Sequence, residues 1–570
     1  MAAYSVSVAL TGSGGAGAMT AGQILLDAAS KAGYYGLMTR SMGPQIRGGE
    51  AAALLRISTK PISSLDDYYD VLVAFDWGNI SRFAAELPLS KSSIVICDPE
   101  QGEVPEPIAQ YGAQAAALPM KEIAGSVPGG RANMVGLGAA ATLIGLPIEA
   151  VIQVLTAQLG RKGEEVLAAS TAALRAGAEA AKALPAAAQL PATKHDGAER
   201  WNISGNEAAG LGALKGGIKF VAAYPITPAT EVLEWLAPAL DKTGGALVQA
   251  EDELASINMV IGGSFAGLPS LTATSGPGLA LMTESLGLAV ASETPLVLVD
   301  VMRGGPSTGI PTKSEQSDLN IAVYGLHGDA PHVVVAPTSI VDCLFTTQWA
   351  VYLAEALQTP ALVLSDQAMG QSRNIVPKPA AVPYTAKRLV AEGTLEAYKR
   401  YALTESGVSP MAIPGTPGGQ YVADGLEHNE RGTPSSQASD HQSQMDKRFD
   451  KLTNFDYGNH WADIEGEGEI AILTWGAITG PVQEAIERAA EQGIKAKLIS
   501  LRLILPASPE KMAEALKGVK KVLIVEQTHG QQFAKFLRAH YDLPQMAVVN
   551  RPGPLPIRPA EIVNRLLAWK

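Results

Sequence analysis

Short apolar runs alternate along this chain with segments whose apolar residues recur every three or four positions, the pattern of strands followed by helices. Residues 218–223 form such a run, and Val232, Leu233, Leu236 and Leu240 follow at helical spacing. Between them lies Tyr224-Pro225-Ile226-Thr227-Pro228-Ala229-Thr230-Glu231, which reads as a strand-to-helix turn with Pro228 at the first helical position, where its missing N–H is no loss. The turn would hold Thr227 and the free N–H groups of a helix start at the carboxyl edge of a sheet, where open α/β sheets bind ligands. A proline-stiffened connection without chemistry has the same pattern.

The alternation continues on both sides. Residues 4–10 read as a strand, Gly12-Ser13-Gly14-Gly15-Ala16-Gly17 as a glycine-rich turn, and Leu25, Leu26, Ala29 and Ala32 as one face of a helix. Backbone N–H groups around Gly14 and Gly15 could cradle a phosphate or a pantetheine arm. A dinucleotide site would want an acid about 20 residues on, but position 37 is Leu and position 40 is Arg, which argues against NAD. Runs at 71–75 and 94–97, alternating with helices, predict a parallel sheet for residues 1–184. Periodicity then lapses into a linker over 185–200. Further α/β alternation fills 201–370, and residues 371–465 are rich in Pro, Ser, Gly and charge, a composition that predicts a long wandering connection, partly disordered. A last small α/β unit spans 466–570, with strands at 497–501 and 521–526 and a helix over 482–492. The fold class is α/β and multidomain.

Composition narrows the function. The chain has 570 residues, 47% of them apolar, and 58 glycines, enough for several close-packed α/β domains. A net charge of −12 and a pI near 5.3 argue against a nucleic-acid surface. No apolar run reaches the ~20 residues of a membrane span, and the N-terminus has no basic signal-peptide region, so a cytosolic setting is expected. The two cysteines, Cys97 and Cys343, each adjoin an apolar run and are expected as buried free thiols. A 4Fe–4S cluster takes four thiolates, so this chain cannot bind one by itself. The histidines show no zinc-protease spacing, and His428 reads as a loop histidine more readily than a metal ligand.

Three stretches together carry a resemblance. Tyr224-Pro225-Ile226-Thr227-Pro228, Glu251-Asp252-Glu253 and Thr272-Ala273-Thr274-Ser275-Gly276-Pro277-Gly278 resemble, in order and spacing over roughly residues 205–320, the pyrimidine-binding domain of 2-oxoacid:ferredoxin oxidoreductases. These enzymes use thiamine diphosphate. Ser41-Met42-Gly43-Pro44-Gln45-Ile46-Arg47-Gly48-Gly49-Glu50 resembles a loop of the family's gamma domain, which makes 1–184 a gamma-type domain fused to an alpha-type subunit. The family's 2-oxoglutarate-type branch also has stretches like 371–465, which there wrap over the partner subunit, and residues 466–570 resemble the transketolase C-terminal type.

The resemblance implies roles. Three acids at a helix start have a structural explanation, because each complements the helix dipole for about 0.3–1 kcal/mol. One is expected to serve the cofactor's aminopyrimidine: Glu253, nine residues before Gly262, with Glu251 as the alternative. Tyr224, Pro225, Ile226, Thr274, Ser275 and Gly276 would line the cofactor. Thr227 and Arg303 would meet the 2-oxoacid carboxylate, and Arg47, Lys313, Gly14 and Gly15 would serve the substrate's far end or CoA. A solvated arginine is the alternative reading of Arg47, and a surface salt bridge that of Arg303. The Gly-Asp-Gly motif that holds diphosphate through Mg²⁺ in thiamine enzymes occurs nowhere in the chain. A beta subunit would therefore carry the Mg²⁺ site and the 4Fe–4S cluster, in a dimer of heterodimers that reduces ferredoxin. The expected reaction is CoA-dependent oxidative decarboxylation of 2-oxoglutarate. The alternatives are pyruvate or a branched-chain 2-oxoacid, or a scaffold subunit without catalysis.

Overall fold

The structure, a computed structural model, describes residues 4–43, 48–193 and 197–569. The chain folds into two compact units: Met1–Ile203 with Gln371–Ala380 and Ile557–Glu561, and Ser204–Gly370 with Ala381–Pro556 and Ile562–Lys570.

The first unit is built on strands β1 (Ser5–Ser13), β2 (Tyr35–Met42), β3 (Glu50–Ser58), β4 (Tyr69–Ala74), β5 (Leu89–Cys97), β6 (Gln114–Ala117) and β7 (Arg200–Ser204), joined later by β14 (Arg373–Pro377). They form one sheet in the order β6-β5-β4-β1-β3-β2-β14-β7. The parallel sheet expected for 1–184 is only half present. β1, β4, β5 and β6 run parallel, but β3 is antiparallel to both β1 and β2. The reason is β2 and β3, which are consecutive and joined by a short connection, a geometry that only antiparallel partners allow. Helices Ala18–Lys31, Ala132–Leu143 and Ile148–Leu159 bury their apolar residues in the same core as the sheet.

In the second unit the strands are β8 (Phe220–Ala223), β9 (Ala246–Gln249), β10 (Ser270–Thr274), β11 (Leu296–Met302), β12 (Val333–Val335), β13 (Pro360–Asp366), β15 (Ala462–Glu465), β16 (Ile470–Trp475), β17 (Ala496–Leu501), β18 (Leu503–Leu505), β19 (Lys521–Glu526) and β20 (Gln545–Asn550). A seven-stranded sheet has the order β18-β12-β13-β11-β10-β8-β9, and a five-stranded sheet the order β15-β17-β16-β19-β20. From β8 the chain passes to β9 on one side and then to β10 on the other. That reversal is a topological switch point, which leaves a crevice at the carboxyl ends of the strands. β18 adds to the larger sheet antiparallel to β12, so the last α/β portion shares a core with the portion before it.

Residues 381–465 follow a defined path, contrary to the wandering connection that composition predicts. They include bridges Val390↔Met411 and His428↔Pro434 and the helix Ala438–Thr453. Two residues in left-handed conformation, Glu293 (φ 48°) and Gln358 (φ 47°), serve as anchors. Glycine is usual at such helix ends. Here the side chains are needed, because Glu293 takes Lys447 at 2.6 Å and Lys451 at 2.9 Å, while the Gln358 amide donates to Ser409 O at 3.0 Å. Buried charge chemistry therefore fixes a segment that has no long apolar face.

Candidate active site

Four adjacent parallel strands, β9, β8, β10 and β11, end at the same edge. Residues 224–227 follow β8, 250–253 follow β9, 275–278 follow β10, and Arg303 follows β11. The topology thus gathers the candidate residues of the second unit, which in sequence are spread over about eighty positions.

The turn after β8 differs in detail from expectation. The helix begins at Thr230, with Ala229 at its N-cap, so Pro228 lies in the preceding turn and not at the first helical position. The turn closes through Ala229 N to Ile226 O at 2.8 Å, and the buried amide of Asn206 donates to Pro228 O at 2.9 Å. This arrangement leaves Thr227 exposed and Tyr224 40% exposed at the rim, while Ile226 packs on the core.

The three acids after β9 separate by environment. Glu251 is exposed. Asp252 caps the helix Glu253–Phe265 by accepting from Ala255 N at 2.7 Å, which is what a short acid does best at that position. Glu253 is only 8% exposed. Its side chain lies against Gly278, where an added Cβ would come within 2.7 Å of Glu253 Cγ and 3.0 Å of Oε1. Glycine at 278 is thus a packing requirement of the Glu253 side chain and of Thr274, whose Oγ1 an added Cβ would also strike. Thr274 and Ser275 are fully buried, and Ser275 Oγ has no hydrogen-bond partner.

Arg303 is 6% exposed and donates from Nη1 to Thr227 O at 2.6 Å and from Nη2 to Thr308 O at 2.8 Å, with Nε unpartnered. Burial lowers its basicity, and the charges of Asp318 and Glu253 oppose that shift. A surface salt bridge, the alternative reading of this arginine, is not what the structure contains. Thr308 belongs to the loop that returns from Arg303, closed by Gly304 N to Lys313 O at 3.0 Å. Lys313 is half-buried on that loop.

Two residues that carry no motif stand beside this group. Asp300, on β11, is completely buried with neither carboxyl oxygen hydrogen-bonded to a donor, and Asp318 sits within hydrogen-bonding reach of it. Asp318 also lies against Gly276, where a Cβ would fall 2.5 and 2.6 Å from its two oxygens. Nothing local in the sequence marks either aspartate.

In the first unit, the glycine-rich turn adjoins the loop between β2 and β3. Gly14 N donates to Gly49 O at 2.6 Å, and a Cβ on Gly14 would meet Gly48 N at 3.1 Å. Gly15 has φ 104°, a value suited to glycine. Arg47 lies outside the described residues. Beside the turn is a cavity of about 530 Å³ lined by Ser13, Phe75, Asp76 and Lys121, which sequence reading missed. Asp76 is held there by Ser13 N at 2.9 Å and Gly78 N at 2.8 Å. A larger cavity of about 1020 Å³ in the second unit, lined by Tyr324, Phe449, Tyr457 and Lys511 among others, includes none of the candidate residues.

Cys97 and Cys343 are buried free thiols. His428 is buried with its ring on Tyr401, at a centroid distance of 3.8 Å. No cluster of three or more His, Cys, Asp or Glu able to hold a metal, and no helix long and apolar enough to cross a membrane, occurs among the described residues.

Known proteins share these features. Residues 211–447 match the family profile described as pyruvate flavodoxin/ferredoxin oxidoreductase, thiamine diphosphate-binding; residues 7–180 match pyruvate ferredoxin/flavodoxin oxidoreductase; and residues 460–551 match the transketolase C-terminal domain. The 2-oxoacid:ferredoxin oxidoreductase subunit alpha of Saccharolobus solfataricus is 30% identical, with 94% of this chain and 93% of the relative covered. A 2-oxoglutarate synthase subunit KorA of Methanothermobacter marburgensis is 35% identical over 65% of this chain and all (100%) of its own length. The 2-oxoglutarate:ferredoxin oxidoreductase from Magnetococcus marinus, solved with 2-oxoglutarate, coenzyme A and succinyl-CoA bound, is 38% identical with a TM-score of 0.92, covering 99% of each chain. Fold and site define a multidomain α/β oxidoreductase subunit with a thiamine diphosphate-binding fold and a transketolase-type C-terminal portion. The chain belongs to the alpha subunits of the 2-oxoacid:ferredoxin oxidoreductases.

Proposed function

We propose that this chain is the alpha subunit of an enzyme that converts 2-oxoglutarate and CoA to succinyl-CoA and CO₂ while reducing ferredoxin, and that it acts with a beta-type partner. The observation that carries the reading is the meeting of buried Glu253, the Tyr224–Thr227 turn and Arg303 at one sheet edge. Likeness to the Magnetococcus marinus enzyme, solved with 2-oxoglutarate and succinyl-CoA, supports the choice of substrate.

The residues fit thiamine diphosphate: one buried carboxyl faces a glycine whose missing Cβ leaves it room, beside a turn with an unpartnered buried hydroxyl, Ser275. When bound, this cofactor supplies the nucleophilic carbon and the electron sink that decarboxylation of a 2-oxoacid needs. Glu253 would share a proton with the cofactor's ring nitrogen, and the low exposure of its carboxyl strengthens that bond. Tyr224, Pro225, Ile226, Thr274, Ser275 and Gly276 would line the ring. Arg303 would bind the carboxylate next to the keto group, with Thr227 as a second contact. Arg47 or Lys313 would meet the distal carboxylate. A charge-assisted bond of about 1.5–3 kcal/mol there would favour 2-oxoglutarate over apolar 2-oxoacids by roughly one to two orders of magnitude. Gly14 and Gly15 would serve CoA. The chain has two cysteines and no Gly-Asp-Gly, so the Mg²⁺ site and the 4Fe–4S cluster fall to the beta subunit, in a dimer of heterodimers.

The test is viologen dye reduction by the chain co-expressed with its partner, given CoA and each 2-oxoacid in turn. Activity with 2-oxoglutarate that falls ~10²–10⁴-fold in Glu253→Gln is expected. Activity confined to pyruvate or branched acids would overturn the substrate. No activity in a complex shown to hold thiamine diphosphate and iron would leave a scaffold subunit.

A further inference from the structure

We propose that Asp318 is a positioning residue for substrate binding: together with Asp300 it forms a buried carboxyl pair that shares a proton, and the charge on that pair sets how much of the Arg303 guanidinium is available to the anionic end of a 2-oxoacid. The inference rests on the assignment of Arg303 to the substrate carboxylate.

Geometry provides the first support. Asp300 lies on β11, three residues before Arg303, which follows that strand; it is wholly buried, and its oxygens accept from no N–H or hydroxyl donor among the described residues. Asp318 reaches it from the segment that follows the loop closed by Gly304 and Lys313, and Oδ2 of Asp318 likewise lacks a donor. Asp300 is out of water and without donors, and the half-buried Asp318 turns a donorless oxygen into the same place; two carboxylates in such contact are not readily ionised together, so a proton between them is the arrangement that satisfies both. The segment that carries Asp318 is fixed. Gln316 N donates to Gln527 O at 3.0 Å, Gln527 N to Gln316 Oε1 at 2.9 Å, Gln316 Nε2 to Trp475 O at 2.8 Å, and Gln532 Nε2 to Ser317 O at 2.8 Å. Asp318 is therefore held against Gly276 and within the field of Arg303.

The charged groups that act on the pair are few. Asp318 faces Asp300, Glu315 and Arg303; Arg303 faces Asp318 and Glu253; Glu315 is influenced by His529 and accepts from Gly553 N. Burial, with the neighbouring Asp318, holds the Asp300 carboxyl well above its ordinary value. Burial also pushes Asp318 up to about 7, with Glu315 adding to the shift and Arg303 opposing it. Below that pH the pair is neutral, and the guanidinium charge is free to attract substrate. Above it, Asp318 is an anion that competes with the substrate carboxylate for Arg303. The KM for the 2-oxoacid should therefore rise with pH.

The experiment uses the complete complex with its partner. KM and kcat for 2-oxoglutarate are measured from pH 6 to 8.5 in wild type and in Asp318→Asn. A wild-type KM that rises about three- to tenfold across this range is expected, the span that one partly screened charge commands. A flat KM with little change in kcat is expected in Asp318→Asn. A variant that keeps the wild-type pH dependence of KM would overturn the proposal. Glu315→Gln offers a second check if Asp318→Asn misfolds, since removal of its charge should move the inflection to lower pH; an unmoved inflection counts against the pair. Infrared difference spectra give a readout free of the substrate assignment. The carbonyl band of a protonated carboxylic acid should persist at pH 8 and vanish in Asp300→Asn. Its absence from the wild-type complex would refute the shared proton, even in an enzyme that turns over no 2-oxoacid.

Discussion

Glu293 and Asp300 are both fully buried carboxyl groups on the same α/β sheet portion, and their surroundings treat them in opposite ways. Glu293 receives Lys447 and Lys451, with Arg400 bonded to its carbonyl at 2.8 Å. These cations overcome the effect of burial and hold its carboxyl well below the usual range, while burial draws Lys447 down to about 8. Asp300 instead faces a second acid, Asp318. The first cluster pairs its carboxylate with two ammonium groups and fastens residues 381–465 to the core, leaving only neutral or cationic edges, Oε1 of Gln358 and Nε of Arg400, without a partner among the groups named. The second leaves oxygens of Asp300 and Asp318, Nε of Arg303 and Oγ of Ser275 unpartnered at the edge where four strands end. Buried polar groups left unpaired are costly, so a folded chain keeps them where chemistry uses them. The contrast separates a structural charge cluster from a working one.

The largest effect should come from the structural cluster. Glu293→Gln leaves two buried ammonium groups without a counter-charge and should destabilise the second unit by about 3–5 kcal/mol, read by chemical denaturation. Specific activity per folded complex should stay near wild type. A loss of turnover without loss of stability would erase the distinction between the two clusters. A smaller effect is expected at the working site. Gly278→Ala would press a methyl onto Thr274 Oγ1 and onto Glu253 Cγ, the latter 2.7 Å from the added carbon, at a cost of about 1–3 kcal/mol. The displacement should lower kcat more than it raises KM, because the carboxyl moves relative to the reacting centre.

The smallest effect has the opposite sign. The folded-state pKa of Asp318 lies above its ordinary value of 3.8, so its contribution to stability is complete below that value and is lost as pH rises through about 7. Wild type should therefore be less stable at pH 8 than at pH 5.5 at this locus. Asp318→Asn should remove that loss, so its gain over wild type should be roughly 2 kcal/mol larger at pH 8 than at pH 5.5, which already lies inside the window between 3.8 and about 7. Thermal melts at the two pH values decide it. An equal effect at both would mean that the residue does not titrate in the folded chain.

Local chemistry made much of the site legible. The turn 224–231 was readable because prolines and helical spacing act within a few residues. Glu253 was separable from its acidic neighbours only in part: the sequence offered two glutamates, and burial distinguishes them. Strands β2 and β3 were not recognised, since a run such as Glu50–Ser58, with its alanines and leucines all buried, reads equally as helix. That omission is why a parallel sheet was expected in the first unit. The path of residues 381–465 was hidden for a different reason. It is fixed by single ion pairs to residues such as Glu293, more than a hundred positions away, which leave no periodic trace.

By itself, then, the sequence determined the α/β class, the order of the domains, the turn that presents Thr227, and the absence of both Gly-Asp-Gly and enough cysteines for a cluster. Each follows from residues adjacent in the chain or from simple counting. Only the tertiary structure decided that Asp252 caps while Glu253 is buried, that Arg303 folds back onto the Thr227 carbonyl, and that Asp300 meets Asp318. Such outcomes depend on which groups are removed from water together. Burial and pairing are properties of strand order and packing, and no single stretch of sequence carries them.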